Sequence, residues 1–111
     1  GARPVGFFLQ GLRLRLENGR WRVDPGGSSS SDDAGGRLAD AWSSARAASV
    51  RGFNPGLYWE DTILIELNGE SDPLRFRVAR LEHELVIGRP DWKVQYHFPK
   101  KAGLRLVALA D

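Results

Sequence analysis

The chain has 111 residues, with 16 Lys and Arg against 14 Asp and Glu, which gives a formal net charge of +2. A chain of this length forms one domain and buries roughly two-thirds of the surface that it exposes when unfolded. The absence of cysteine excludes disulfide scaffolds, Cys-ligated metal sites and thiol nucleophiles. Because the chain also lacks methionine, even at position 1, we expect residues 1–111 to be a single domain excised from a longer protein.

The strongest local pattern is a β-hairpin over residues 12–23. Leucines alternate with charged residues from position 12 to position 17, and Asn18-Gly19 follows, a pair that suits a type I′ turn. A two-residue loop pairs Leu16 with Trp21 and Arg15 with Arg22. We therefore expect one apolar face and one charged face. Residues 1–24 carry a net charge of +3, so the basic character of the chain is concentrated here.

A Gly/Ser-rich segment at 25–31 contains nothing that could pack and predicts a flexible loop. The pattern then predicts one main helix from about residue 33 to residue 50. Its apolar stripe is expected to contain Leu38, Ala41, Trp42, Ala45 and Ser49. The Asn-Pro-Gly stretch at 54–56 turns the chain back after the helix.

Four alternating segments follow, at residues 62–67, 74–79, 85–87 and 92–98. Short turns separate them, which is typical of an antiparallel meander. Residues 99–111 fit either a strand or a helix, and Pro99, comfortable in a first helical turn, favours a short C-terminal helix. The sequence thus predicts an α+β fold with an antiparallel sheet: an N-terminal β-hairpin, one main helix, a four-strand meander and a short C-terminal helix.

Familiar catalytic motifs are missing from the sequence. His83 and His97 are not in an HExxH spacing, and there is no GxSxG, GxGxxG or GxxxxGK[ST] pattern. The alternation around His97 predicts that it faces solvent. Acidic pairs at 32–33 and at 82 and 84 fall in cap or turn positions, where acids are common. We expect no enzymatic activity, no cofactor and no metal.

Two groups of residues are candidates for partner binding. The first is the charged hairpin face, formed by the arginines Arg13, Arg15, Arg20 and Arg22. The second is the 53–59 segment with Phe53, Tyr58 and Trp59, which lies outside clear alternation. The other large aromatic residues are expected in the core, because they fall on the apolar phase of their elements: Trp21, Trp42, Trp92 and Tyr96.

The order of these features resembles a bacterial family, the domain of unknown function 4340 group. Residues 12–25 read Leu-Arg-Leu-Arg-Leu-Glu-Asn-Gly-Arg-Trp-Arg-Val-Asp-Pro, and a Ser/Asp-rich loop and a helix over 38–50 follow. Residues 85–91, Leu-Val-Ile-Gly-Arg-Pro-Asp, through Tyr96 are similar to a second stretch of that group. These short motifs span most of the chain and are mainly structural. The resemblance implies a role in defining the fold, and no other role, for four positions: Trp21, Pro25, Gly88 and Tyr96.

The resemblance implies a domain on the far side of the bacterial inner membrane, in the periplasm or envelope, carried by an anchor that lies outside this chain. It supplies no catalytic residues. Our first hypothesis is a noncatalytic interaction or scaffold domain of an envelope protein with a protein partner. The alternative is a nucleic-acid-binding module in which the hairpin arginines contact phosphates. Membrane contact is expected only through a segment that this chain lacks.

Overall fold

A computed structural model describes residues 3–9, 11–24 and 31–107 of the chain. Eight strands form one antiparallel sheet: β1 (Pro4–Leu9), β2 (Leu12–Glu17), β3 (Arg20–Asp24), β4 (Ser49–Gly52), β5 (Asp61–Leu67), β6 (Leu74–Arg80), β7 (Glu84–Arg89) and β8 (Val94–Pro99). Two helices, α1 (Ser31–Ser44) and α2 (Lys100–Val107), accompany it. The predicted α+β class, hairpin, meander and short C-terminal helix are confirmed.

The strands lie in the order β3-β2-β1-β5-β6-β7-β8-β4, so β3 and β4 form the two open edges. The N-terminal hairpin has the predicted register, with Leu16 opposite Trp21 and Arg15 opposite Arg22. Asn18 and Gly19 both have positive φ, 53° and 77°, as a type I′ turn requires. The predicted loop at 25–31 lies outside the described residues except for Ser31, which belongs to α1.

One face of the sheet, the inner face, packs against both helices. Its buried strand residues are Phe7, Leu9, Leu14, Trp21, Ile63, Ile65, Phe76, Val78, Leu85, Ile87 and Phe98. Leu38 of α1 and Leu106 and Val107 of α2 complete this core. Trp42 joins the layers, because its ring lies 5.0 Å from that of Phe76 and its Nε1–H donates to the Leu106 carbonyl at 2.9 Å.

The predicted helix over 33–50 is too long. It ends at Ser44, whose hydroxyl donates to the Asp40 carbonyl at 2.8 Å, a bond that competes with helical pairing. Ser49 and Val50, which were expected to continue the helix, instead pair with β8 as part of β4. Strand β1, which the sequence pattern did not predict, lies between β2 and β5 in the sheet.

Trp92 is not a core residue, contrary to the sequence prediction. It lies in a single 3-10 turn, Pro90–Trp92, ahead of β8, and its side chain is 61% exposed. Proline lacks the N–H that a continuing strand needs, so the chain turns at Pro90. The Arg89 guanidinium stacks over the Trp92 ring at 3.6 Å. The strand that follows keeps the predicted phase, with Tyr96 half-buried and Phe98 buried on the inner face.

Candidate binding surfaces

The outer face of the sheet, opposite the helices, is divided into two parts. A loop over residues 53–60, called here the aromatic loop, folds across β7 and β8. The geometry at Gly88 shows how close this loop lies: a Cβ on Gly88 would stand 2.7 Å from Phe53 Cε1 and 2.8 Å from Trp59 Cη2. Only a residue without a side chain allows that approach. The Phe53 and Trp59 rings are stacked, with centroids 5.0 Å apart and 15° between their planes.

The three aromatic-loop residues predicted to contact a partner therefore have different environments. Phe53 and Trp59 are half-buried against the sheet, and Trp59 Nε1–H donates to the Asn54 carbonyl at 3.0 Å. Tyr58 points away from the sheet and is 80% exposed. Of the three side chains, that of Tyr58 is the most exposed.

Beneath the aromatic loop lies a chain of polar groups in which Gln95 and His97 are buried. The Asn54 backbone N–H donates to Gln95 Oε1 at 2.8 Å, which orients the Gln95 amide. Gln95 Nε2 therefore faces His97 Nε2, 2.8 Å away, and donates to it. His97 Nδ1 lies 3.3 Å from Glu84 Oε1. These contacts fit a neutral imidazole with its proton on Nδ1, directed at the carboxylate.

The prediction that His97 faces solvent is wrong, since its exposure is only 5%. Its position on the outer face was predicted correctly, but the aromatic loop covers that part of the face. Both ring nitrogens already have protein partners, the Gln95 amide and the Glu84 carboxylate. Across the described ranges, no group of three or more His, Asp and Glu side chains is placed to hold a metal ion. We therefore assign His97 to fastening the loop.

The other part of the outer face, over β3, β2, β1, β5 and β6, carries the hairpin arginines. Phe8 lies near its centre with 48% of its surface exposed. Its neighbours in the sheet are Arg13 on β2 and Leu64 on β5, and Leu64 in turn is opposite Arg75 on β6. We call this surface the arginine platform, formed by Phe8 and the exposed arginines Arg13, Arg15, Arg20, Arg22 and Arg75.

Acidic side chains hold part of the arginine platform in place. Glu66 on β5 lies 3.7 Å from the guanidinium groups of both Arg13 and Arg15. Its carboxylate reaches them across Gly6, where a Cβ would collide with Glu66 Oε1. Arg22 lies 3.5 Å from Glu17. Such exposed pairs contribute at most about 1 kcal/mol each, so the guanidinium groups remain accessible to an anion.

The sheet edge at β4 is a second open surface. The Phe53 N–H donates to the Lys93 carbonyl at 2.9 Å, and Arg51 is opposite Gln95 in the same register. Since bonding directions alternate along an antiparallel strand, the backbone N–H and C=O groups of Val50 and Gly52 point away from the sheet. Val50 is 57% exposed.

The two sheet edges differ in character. Edge strand β3 reads Arg-Trp-Arg-Val-Asp and carries charges at alternate positions, a common protection against strand addition. Edge strand β4 reads Ser-Val-Arg-Gly, with only Arg51 as a charge. Val50 extends the inner face beside its cross-strand neighbour Tyr96. Within the described part of the chain, no strand pairs with the outer edge of β4, which presents its outward backbone groups together with exposed apolar surface.

Two of the grooves that border α1 are larger than about 300 Å³. One, of about 420 Å³, is lined by small and polar residues of α1 with Arg105 of α2, and the other, of about 380 Å³, lies between α1 and the ends of β1 and β3. The described residues that line them contain no histidine, and each groove has one carboxylate, that of Asp40. Neither groove shows the convergent polar groups of an enzyme pocket.

Comparisons with protein-family models, with curated proteins and with solved structures find no match to this chain. No described helix is both long enough and apolar enough to cross a membrane. Of the fold-defining positions that the resemblance suggested, Trp21 is buried in the core and Gly88 lies beneath the stacked rings of the aromatic loop. Tyr96 is half-buried, and Pro25 lies outside the described residues.

Proposed function

We propose that this chain is a noncatalytic interaction domain that binds a protein partner by adding a strand of that partner to the edge of β4. The observation that supports this proposal is the pair of outward-facing backbone groups at Val50 and Gly52, beside the exposed side chain of Val50. Strand addition uses main-chain hydrogen bonds for affinity and alternate side chains for specificity.

The contents of the described cavities and polar clusters also favour binding over catalysis. Among the described residues, a chain of polar groups runs from the half-exposed Glu84 carboxylate through the buried His97 and Gln95 side chains and ends on the backbone of the aromatic loop. A catalytic base needs to reach a substrate proton, and here the polar atoms of the imidazole are directed at protein groups. Its role in the proposed domain is structural.

The experiment compares two proline variants with a matched control. Val50→Pro and Gly52→Pro each remove an N–H that faces away from β8, so the pairing of β4 with β8 is kept. Val50→Thr keeps both the N–H and the branched side chain. The probe is a short neutral peptide of alternating Thr and Val, titrated against the labelled domain.

We expect the peptide to bind the wild-type domain and the Val50→Thr variant, and to lose binding to both proline variants. Two-dimensional amide spectra establish that each variant is folded. Equal binding by the proline variants and the control would place the peptide elsewhere and overturn the proposal.

The cellular location is part of the same proposal. We place the domain in the bacterial envelope, on the far side of the inner membrane, where a strand-accepting edge would join it to another component of an envelope complex. The support is the resemblance of residues 12–25 and 85–96 to the domain of unknown function 4340 group. Fractionation of cells that express the full-length protein tests it, and recovery in the cytoplasm would contradict it.

A second candidate function is binding of single-stranded nucleic acid by the arginine platform. The exposed ring of Phe8 favours it, because single-strand binders combine a stacking aromatic with basic side chains along the backbone. Arg13 lies one strand from Phe8, and Arg75 lies two strands away on the other side.

Titration with short single-stranded DNA and RNA at low and moderate ionic strength tests this candidate. Phosphate contacts predict binding that weakens steeply with salt. Phe8→Ala removes the stacking surface, which contributes about 1–3 kcal/mol per base in known single-strand binders. Arg37→Glu on α1 changes an exposed charge on the opposite face and is the control. No binding at low salt would eliminate the candidate.

A further inference from the structure

The side chains around the β4 edge specify the chemistry of its partner, provided that the proposed strand addition occurs. On the outer side, Arg51 projects from the middle of the strand and is exposed. On the inner side, Val50 is exposed beside Tyr96. An added strand continues both faces of the sheet, so its side chains alternate between a charged and an apolar neighbour.

Three cations lie in or beside this edge strand. Arg46 lies just before β4, Arg51 lies within it, and Lys93 lies beside its last residues, where its carbonyl accepts the Phe53 N–H. None of these three cations takes part in an ion pair of the described residues. Asp91, the nearest acid in sequence to Lys93, is paired with Arg89 at 3.4 Å. The edge thus offers three cationic groups without an acidic partner.

We infer that the partner of the β4 edge is an extended acidic protein segment in which apolar residues alternate with Asp or Glu. The apolar side chains of the segment lie beside Val50 on the inner face, and the carboxylates lie beside Arg51 on the outer face. Opposite charges in directly opposed cross-strand positions stabilise a sheet, and like charges there destabilise it. A basic segment of the same apolar pattern would place its charges against Arg51.

Three peptides of equal length test this inference: one alternates Val with Glu, one alternates Val with Thr, and one alternates Val with Lys. At low ionic strength, we expect the acidic peptide to bind about tenfold more tightly than the basic one, because a few exposed ion pairs together contribute about that difference in affinity. The neutral peptide should have an intermediate affinity. Arg51→Glu is expected to reduce the preference for the acidic peptide, because Arg46 and Lys93 remain, whereas Arg37→Glu on α1 leaves the preference unchanged.

The outcomes separate this inference from the proposed function. Equal affinities, or tighter binding of the basic peptide, would overturn the acidic partner and leave strand addition standing. If none of the three peptides binds, both the acidic partner and the proposed strand addition are overturned. Sedimentation tests whether the domain associates with itself. If it does so in a concentration-dependent way that is lost in Val50→Pro, and if it shows no preference among the peptides, the occupant of the edge is a second copy of this chain. That result would overturn the inference.

Discussion

Replacing Gly88 with alanine tests whether the aromatic loop packs on the sheet as described. The added methyl carbon would stand 2.7 Å from Phe53 Cε1 and 2.8 Å from Trp59 Cη2. Carbon atoms in contact prefer a separation of about 3.5–4.0 Å, so the two rings need to move outward by roughly 1 Å. Because the rings are stacked on each other, they move together.

The cost can be bounded from the fastenings of the loop. Small shifts that keep the loop in place force strained side chains, which costs about 1–3 kcal/mol. A larger shift breaks the bond from the Asn54 N–H to Gln95 Oε1 and leaves buried polar groups unpaired, at about 1–3 kcal/mol. We therefore expect Gly88→Ala to reduce the free energy of unfolding by about 1–3 kcal/mol.

Urea denaturation measures that change, and the indole proton resonance of Trp59 reports on the loop itself. The control is Gly52→Ala in β4, where a new Cβ has no heavy atom within 4 Å. We expect the control to stay within about 0.5 kcal/mol of wild type, the usual range for a surface substitution. If Gly88→Ala matched this control in stability and left the Trp59 resonance unmoved, the described packing of the loop would be wrong.

Three further substitutions test other contacts by the same denaturation assay. In α1, the new Cβ of Gly35→Ala would overlap the tryptophan side chain of β3, which should reduce the free energy of unfolding by about 1–3 kcal/mol. The new Cβ of Gly36→Ala meets free space, so this substitution should stabilise the helix by about 0.5–1 kcal/mol. Equal effects of the two substitutions would contradict the orientation of the helix. Gln95→Leu should cost about 1–3 kcal/mol and speed amide exchange in the aromatic loop, and unchanged exchange would contradict its fastening role. Trp42→Phe loses the bond to the Leu106 carbonyl, at about 1 kcal/mol, and a neutral result would show that this bond does not join the helices.

The sequence predicted the elements whose local chemistry agrees with their tertiary setting. The hairpin of β2 and β3 is an example, because alternation, the Asn18-Gly19 turn and one buried face all indicate the same register. Strand β1 has no such pattern. Phe7 and Leu9 enter the core while Phe8 lies on the outer face, so the strand reads as a continuous apolar run. Only its pairing with β2 on one side and β5 on the other identifies it as a strand.

The errors elsewhere come from tertiary contacts that local patterns do not contain. Residues 45–48 have a composition that suits a helix, but pairing of Ser49–Gly52 with β8 takes the chain out of α1. Alternation placed His97 on the outer face correctly, and nothing in its own strand indicates that a loop forty residues earlier covers it. Gly88 is the one local sign, since a glycine inside a strand often marks a close approach.

The candidate surfaces were predicted in part. The hairpin arginines were chosen because the alternation places them on one charged face, and all four project from that face. Arg75 and Phe8, which complete the arginine platform, come from other strands and depend on the sheet order. The β4 edge could not be predicted, because its first two residues, Ser49 and Val50, were assigned to the helix.

Amide hydrogen exchange at Val50 and Gly52, with and without the acidic Val–Glu peptide, tests the strand-accepting edge of β4 most directly. We predict fast exchange at both positions in the free domain, since their N–H groups face solvent, and marked slowing when the peptide is bound. The Arg51 amide, which faces β8, should change little. Slow exchange at Val50 and Gly52 in the free domain, or no slowing with saturating peptide, would contradict an open, strand-accepting edge.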